Sequence, residues 1–328
     1  MSLYLLGFLF VHSCATSSSN DVQIPVTGQS VFIICEGNYG AGNSSLSILD
    51  TALTDTTYSD VYMKVNGRKL GDHAHSMTVK DSLGYIAITG SDRVEVINLR
   101  TFERMGTISN INTPRDLTIA QGRLFVTSYE DSSVVVVDLS DLHVETTIKL
   151  DHRPDEIVAI AGTVFVSCAP NFNRDTVITY FDATLSGGLE LIRLSRSPIT
   201  LAADYANGFL YAGCDSAGYI VKIDASTKEI ISIIGSSIRV QRVAVKDSII
   251  ACIAGSNGPI HVYNTMTGVL IATLSGNFRG LSISGKEIFA TNAADFLAPG
   301  ELIWFSAVLK ERHRYPVGRV PAQIVFSQ

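Results

Sequence analysis

Two histidines one residue apart, His73 and His75, have the spacing in this chain that best suits a chemical task. A His-x-His pair in a loop can ligate one metal ion, because both imidazoles reach toward a common point. His152, in Asp151-His152-Arg153, falls in a matching loop further along. Neighbouring carboxylates are few, and nothing in the sequence fixes a third ligand. No metal is therefore assigned, and the histidines are read as hydrogen-bonding groups. The search for catalytic groups is equally bare. There is no Ser/His/Asp order, no Gly-rich phosphate loop after a strand and no carboxylate pair that stands apart. No catalytic residue and no cofactor is assigned, and the chain reads as a binder rather than an enzyme.

A second group is larger and more regular. Arg115, Arg153, Arg196, Arg242 and Arg279 recur at similar points in successive stretches of the chain. Asn38, Tyr39, Tyr129, Phe172, Asn173, Asp215, Asn257 and Phe296 lie in the loops around them. If the arginines converge, they form with the aromatic residues a mixed cationic and flat-faced surface. Such a surface suits a large polar ligand with anionic or amide groups. The competing reading is that the arginines pair with Asp116, Asp155 or Glu156 and tie neighbouring units together. The sequence leaves both open.

A repeat supplies the elements that would position these residues. A short apolar segment that ends in Asp, Asn or Ser and runs into a small polar turn occurs seven times, ending at Asp50, Asn98, Asp138, Asp182, Asp224, Asn264 and Ser306. The intervals are 48, 40, 44, 42, 40 and 42 residues, with a mean near 43. That is the period of a four-stranded propeller blade. The side-chain oxygen of the end residue can accept a bond from the backbone N–H two residues on, which starts the turn from third to fourth strand. Four segments fit the second repeat (76–80, 84–89, 93–99 and 103–109) and four fit the third (115–119, 123–128, 133–139 and 143–150). The run Val134–Val137 is apolar at each position, as expected of a strand buried on both faces.

The first repeat offers strands near 31–35, 44–50 and 61–65 but no convincing inner strand. Pro321-Ala322-Gln323-Ile324-Val325-Phe326 matches the inner-strand openings at Pro114 and Pro154. It is expected to complete blade one and remove the open sheet edge. The fold expected is all-β: a seven-bladed β-propeller of four-stranded antiparallel blades, closed by the C-terminal strand, with almost no helix. In such a ring, the loops from outer strand to next inner strand share a face with those from second to third strand. The candidate residues fall in these loops, where sequence is free to vary over a rigid scaffold.

Composition sets the remaining bounds. With 46% hydrophobic and 17% charged residues, the chain can bury a large core. A net charge of −6 argues against nucleic-acid partners, which need a basic face. Residues 3–11, LYLLGFLFV, form an apolar run too short to span a bilayer, and a polar stretch follows. The expected division is residues 1–20 as export signal and linker, and residues 21–328 as one propeller domain. Ser13-Cys14 resembles a bacterial lipobox, which would make Cys14 the acylated residue and a lipid anchor the chain's membrane attachment. An ordinary secretory signal cleaved near Ala15 is the alternative. Cys35, Cys168, Cys214 and Cys252 sit in or at the end of apolar runs and read as buried free thiols.

The blade pattern is similar to that of YncE-like, YVTN-type propellers of exported bacterial proteins. The opening Glu36-Gly37-Asn38-Tyr39-Gly40 resembles the first blade of surface lipoproteins of Bacteroidetes-type bacteria. So does Asn66-Gly67-Arg68-Lys69-Leu70-Gly71-Asp72 followed by Ser76-Met77. The resemblance implies an outer-membrane or cell-surface lipoprotein that captures a nutrient and works with a TonB-dependent transporter. A periplasmic or secreted protein is the alternative placement. Because that group includes cobalamin-binding members, a corrinoid is a candidate small-molecule ligand. Two other functions stay open here: a propeller enzyme of lactonase or lyase type, and an envelope scaffold that binds proteins and no small ligand.

Overall fold

The computed structural model describes residue 24 and residues 30–52, 56–168, 176–215 and 218–327. Its strands form seven four-stranded antiparallel sheets. Blade one is ordered β28 (Pro321–Phe326), β1 (Ser30–Cys35), β2 (Ser45–Asp50), β3 (Thr57–Tyr58) from axis to rim. The C-terminal strand thus closes the ring as expected, with Phe32 opposite Val325 and Ile33 opposite Ile324. Blade two is β4 to β7 (Ala74–Lys80, Leu83–Ile88, Arg93–Asn98, Arg104–Ser109). The next inner strands are β8 (Pro114–Ala120), β12 (Pro154–Ile160), β16 (Pro198–Asp204), β20 (Val240–Lys246) and β24 (Leu281–Ser284). Each touches the inner strand of the blade before and after it, and β28 lies between β24 and β4.

Seven clusters of buried side chains fill the seven gaps between adjacent blades. The Val134–Val137 strand shows why alternation fails in this fold. Val134 and Val136 pack toward blade four, while Val135 and Val137 pack toward blade two. Both faces of the sheet are dry, so both sets are apolar. Near the axis, side chains of one inner strand hold the backbone of the next. Asp116 Oδ2 accepts from the N–H of Ile157, Thr118 Oγ1 from Ala159 and Thr200 Oγ1 from Val243. Glu156 Oε2 accepts from Leu201, and Gln323 Oε1 from Met77 across the closing junction.

The turn marks do what their chemistry suggests. The side-chain oxygens of Asp50, Asn98, Asp138, Asp182, Asp224 and Asn264 each accept from the backbone N–H two residues on, at 2.7 to 2.9 Å. Ser306 differs: its Oγ accepts from the N–H of Lys310, four residues on. The hydroxyls of Ser140 and Thr184 and the N–H of Thr227, with these bonds beside them, hold the Asp138, Asp182 and Asp224 carboxyls respectively below the usual carboxylate range.

One expectation is overturned. Residues 61–65, read as a strand, lie in helix α1 (Val61–Asn66), and the outer strand of blade one is the two-residue β3. The helix is a short plug. Val61 and Tyr62 are fully buried between blades one and two, and Gly67 ends it with φ +62°. The β-branched, apolar opening of Val61-Tyr62-Met63-Lys64-Val65 gave the strand reading, and tertiary packing overrides that propensity. Beneath it, Glu95 is wholly buried and accepts from Tyr62 Oη at 3.1 Å, Arg93 Nε at 3.1 Å and Arg104 Nε at 2.7 Å.

Cys35, Cys214 and Cys252 are buried free thiols, and burial pushes each up to about 12. They are small hydrophobes, not nucleophiles. Cys14 and residues 1–20, expected from the sequence to form an export signal and linker, lie outside the described residues.

Candidate functional site

The site is built on the loop Glu36–Ser44, which joins the second and third strands of blade one. Gly37 takes φ +69°, and a Cβ there would collide with Asn43. Asn43 Oδ1 accepts from the N–H of Asn38 at 2.8 Å, and Ser44 Oγ donates to the Glu36 carbonyl at 2.6 Å. Blade two grips the same loop: the Asp72 carboxylate accepts from the N–H groups of Gly40 at 2.9 Å and Gly42 at 3.2 Å. On the other side, Glu36 N–H donates to the Val320 carbonyl and Gly37 N–H to that of Arg319. The loop is therefore clamped between the closing strand and the entry to blade two.

This clamp places Glu36, 1% exposed, beneath the two histidines. His75 Nδ1 lies 2.8 Å from Oε1, and His73 Nε2 lies 3.8 Å from the same atom. Arg279, arriving from blade seven, binds Oε2. Burial alone would raise the Glu36 carboxyl. The hydrogen bond from His75 and the charge of Arg279 outweigh it and hold Glu36 ionised below the usual carboxylate range. Burial, with Arg115 nearby, pushes His75 down to about 4. At neutral pH His75 is thus a neutral imidazole whose Nδ1–H donates to a carboxylate, an assignment that follows from the partner's charge. His73 is lowered too, by burial first, and its Nδ1 is buried without a hydrogen-bond partner.

Above this group lies a cavity of about 350 Å³, lined by Tyr39, His73, Thr89, Thr113, Arg115, Tyr129 and Glu130. Tyr39 is 77% exposed and meets His73 edge-on at 5.6 Å. Tyr129 is flanked by the guanidinium groups of Arg115, 5.8 Å from its ring centre, and Arg153, 5.0 Å away. A flat π-face and a cationic edge are presented together.

The predicted ring of arginines resolves largely into ties between blades. Arg115 pairs with Asp155 at 3.0 Å, Arg153 with Glu130 at 3.0 Å, Arg242 with Glu156 at 3.1 Å and Arg279 with Glu36. Arg242 reaches from blade six to blade four, so this pair spans part of the channel mouth. Burial, with the charge of Asp116 beside it, raises Glu156 to about 7 against the pull of Arg242. Asp116 instead serves the backbone of Ile157. Arg196 is exposed.

Other expected residues are also structural in their contacts. Asn38 donates to the Phe296 carbonyl at 2.9 Å and accepts from Arg319 at 3.1 Å, linking blades one and seven. Phe296 lies under Arg279, 5.7 Å from its guanidinium carbon. Asp215 pairs with Arg239 at 2.6 Å, and Asn257 donates its N–H to Gln241. Phe172 and Asn173 lie outside the described residues. The structure therefore gathers Tyr39, His73, His75, Arg115, Tyr129, Arg153 and Arg279 on the blade one to three side of the mouth. It leaves Arg196, Asp215 and Asn257 on other blades. Sequence reasoning missed Glu36 as the group that unites the histidines. The signal was present in the first residue of the Gly-rich loop, but its partners are 37 to 243 residues away.

No family model and no curated protein matches the chain. Solved structures do match in fold. A quinonprotein alcohol dehydrogenase-like protein from Bacteroides thetaiotaomicron superposes with TM-score 0.71 at 16% identity, over 90% of this chain and 78% of that one. Hydrazine synthase of Kuenenia stuttgartiensis matches with TM-score 0.62 at 17% identity, over 78% of this chain and 92% of that one. The computationally designed protein Ika8 matches with TM-score 0.63 at 12% identity, over 93% of each chain. At these identities the likeness is one of fold, and function rests on the site itself.

Proposed function

We propose that this chain is an exported, surface-anchored propeller lipoprotein that captures a small polar ligand on its loop face and hands it to an outer-membrane transporter. The observation that carries the reading is the cavity of about 350 Å³ between blades one and three, where the exposed ring of Tyr39 and the Arg-flanked Tyr129 face a common space. Aromatic faces and guanidinium edges recognise flat molecules with anionic or amide groups. A corrinoid is the candidate ligand. The cavity is near the small end of the range for small-molecule sites. A corrinoid would seat one edge or side group in it and lie over the mouth. Cyanocobalamin mixed with the purified chain and desalted should leave coloured protein, and Tyr129→Ala should release the colour. A colourless parent protein removes the corrinoid.

One observation favours a second reading, an enzyme of lyase or lactonase type. His75 and Glu36 form a buried imidazole–carboxylate pair of the kind that orients a general base. Turnover of a lactone or uronic-acid substrate, abolished in His75→Gln, would replace capture by catalysis.

A further inference from the structure

Three potential ligating groups meet beside the loop-face cavity, one of them, His73, in its wall, and the capture reading uses none of them together. A donor atom from each of Glu36, His73 and His75 lies within 4.8 Å of the others. Glu36 Oε1 is their common neighbour, 2.8 Å from His75 Nδ1 and 3.8 Å from His73 Nε2. The imidazole rings stack at 5.9 Å with 22° between their planes. Arg279 holds the other carboxylate oxygen. That contact fixes the carboxylate and leaves Oε1 to the histidines, as outer partners do around metal ligands.

We propose that Glu36, His73 and His75 bind one divalent transition-metal ion, of the zinc, cobalt or nickel kind, in the wall of this cavity. Two imidazoles with one carboxylate suit such ions, whereas calcium and magnesium take sets of oxygens. On binding, His75 changes tautomer, its Nδ1 proton passing to solvent while Nε2 takes one up, and the hydrogen bond between His75 and Glu36 is replaced by bonds from Nδ1 and the carboxylate to the ion. Three protein ligands leave at least one position open. His73 lines the cavity, so a molecule there can fill that position. Glu36 is already shared with Arg279 and cancels little of the ion's charge, which favours an anionic group as the added ligand. The inference goes beyond ligand capture and stands without it.

The test uses the full chain, stripped with a chelator and titrated with Zn²⁺ or Co²⁺ alone in a calorimeter. One saturable equivalent is expected, with visible d–d absorption from the Co²⁺ form. His73→Ala removes a partly exposed ligand, so its circular dichroism should match the parent while affinity falls by at least about 10- to 100-fold. Glu36→Gln should weaken binding by a similar factor. If that variant does not fold, His75→Ala takes its place. Absence of saturable binding, or parent-like affinity in His73→Ala, overturns the proposal. Because the metal is the probe, failure to retain cyanocobalamin leaves this result independent.

Discussion

Glu36 and Glu95 are both carboxylates buried to within 1% of complete, yet they serve different ends. Glu95 is saturated by groups of one neighbourhood. Arg93 and Arg104 come from its own blade, and Tyr62 from the helix packed on it. Thr107 adds a fourth donor at 3.2 Å. These partners saturate the carboxylate with donors, and the network locks the helix to blade two. Glu36 is held instead by three residues from two other blades, two of them titratable imidazoles, and one imidazole borders a cavity. A structural acid is closed off by permanent cations and hydroxyls. An acid kept for chemistry has partners that can change state or partner.

The largest expected effect tests the structural half of that contrast. Glu95→Ala leaves Arg93 and Arg104 without their acceptor and should lower stability by about 3 kcal/mol in urea denaturation. This is the low end for a broken buried pair, because Arg104 is 41% exposed and can turn to water. Metal and ligand binding should be unchanged. If binding falls as well, the two acids do not act separately.

The next effect is read in pH. His75 titrates at about 4 in the folded metal-free chain, against 6.5 for a free imidazole. The unfolded chain therefore takes up the proton first as pH falls. Stability should drop from about pH 6.5 toward pH 4, by up to about 1.4 kcal/mol per unit. The depressed Glu36 carboxyl adds loss in the same direction below its ordinary value of 4.5. His75→Gln should flatten the upper part of this fall, whereas Glu95→Gln should not. Parallel profiles for the two variants would refute the distinction.

The smallest effect belongs to the rim. Arg153 and Glu130 are 33% and 45% exposed, so Arg153→Ala should cost less than about 1 kcal/mol of stability. It should nonetheless weaken any ligand stacked on Tyr129. Loss of stability comparable to that of Glu95→Ala would make Arg153 a strut.

The fold was readable because its signals are local. An Asp or Asn at a strand end and the N–H it captures are two residues apart, so the period shows in the chain itself. The closing strand was readable because Pro321–Phe326 has the composition of its counterparts. The site was readable only in part, because its bonds are not local. Arg242 meets Glu156 across 86 residues, and Arg279 meets Glu36 across 243. No spacing rule spans such distances. Helix α1 escaped for another reason: six residues are too few to show a helical period, and burial rather than pattern fixes them.

The ring's closure also has a consequence in time. The backbone N–H groups of Glu36 and Gly37 are anchored by the carbonyls of Val320 and Arg319, and β28 forms the axial strand of their blade. A ribosome delivers residue 36 early and residue 320 late. Through that interval blade one lacks its inner strand and the acid lacks its clamp. A nascent or truncated chain that has not reached β28 carries both histidines but cannot assemble the site. The site is thus withheld from incomplete copies.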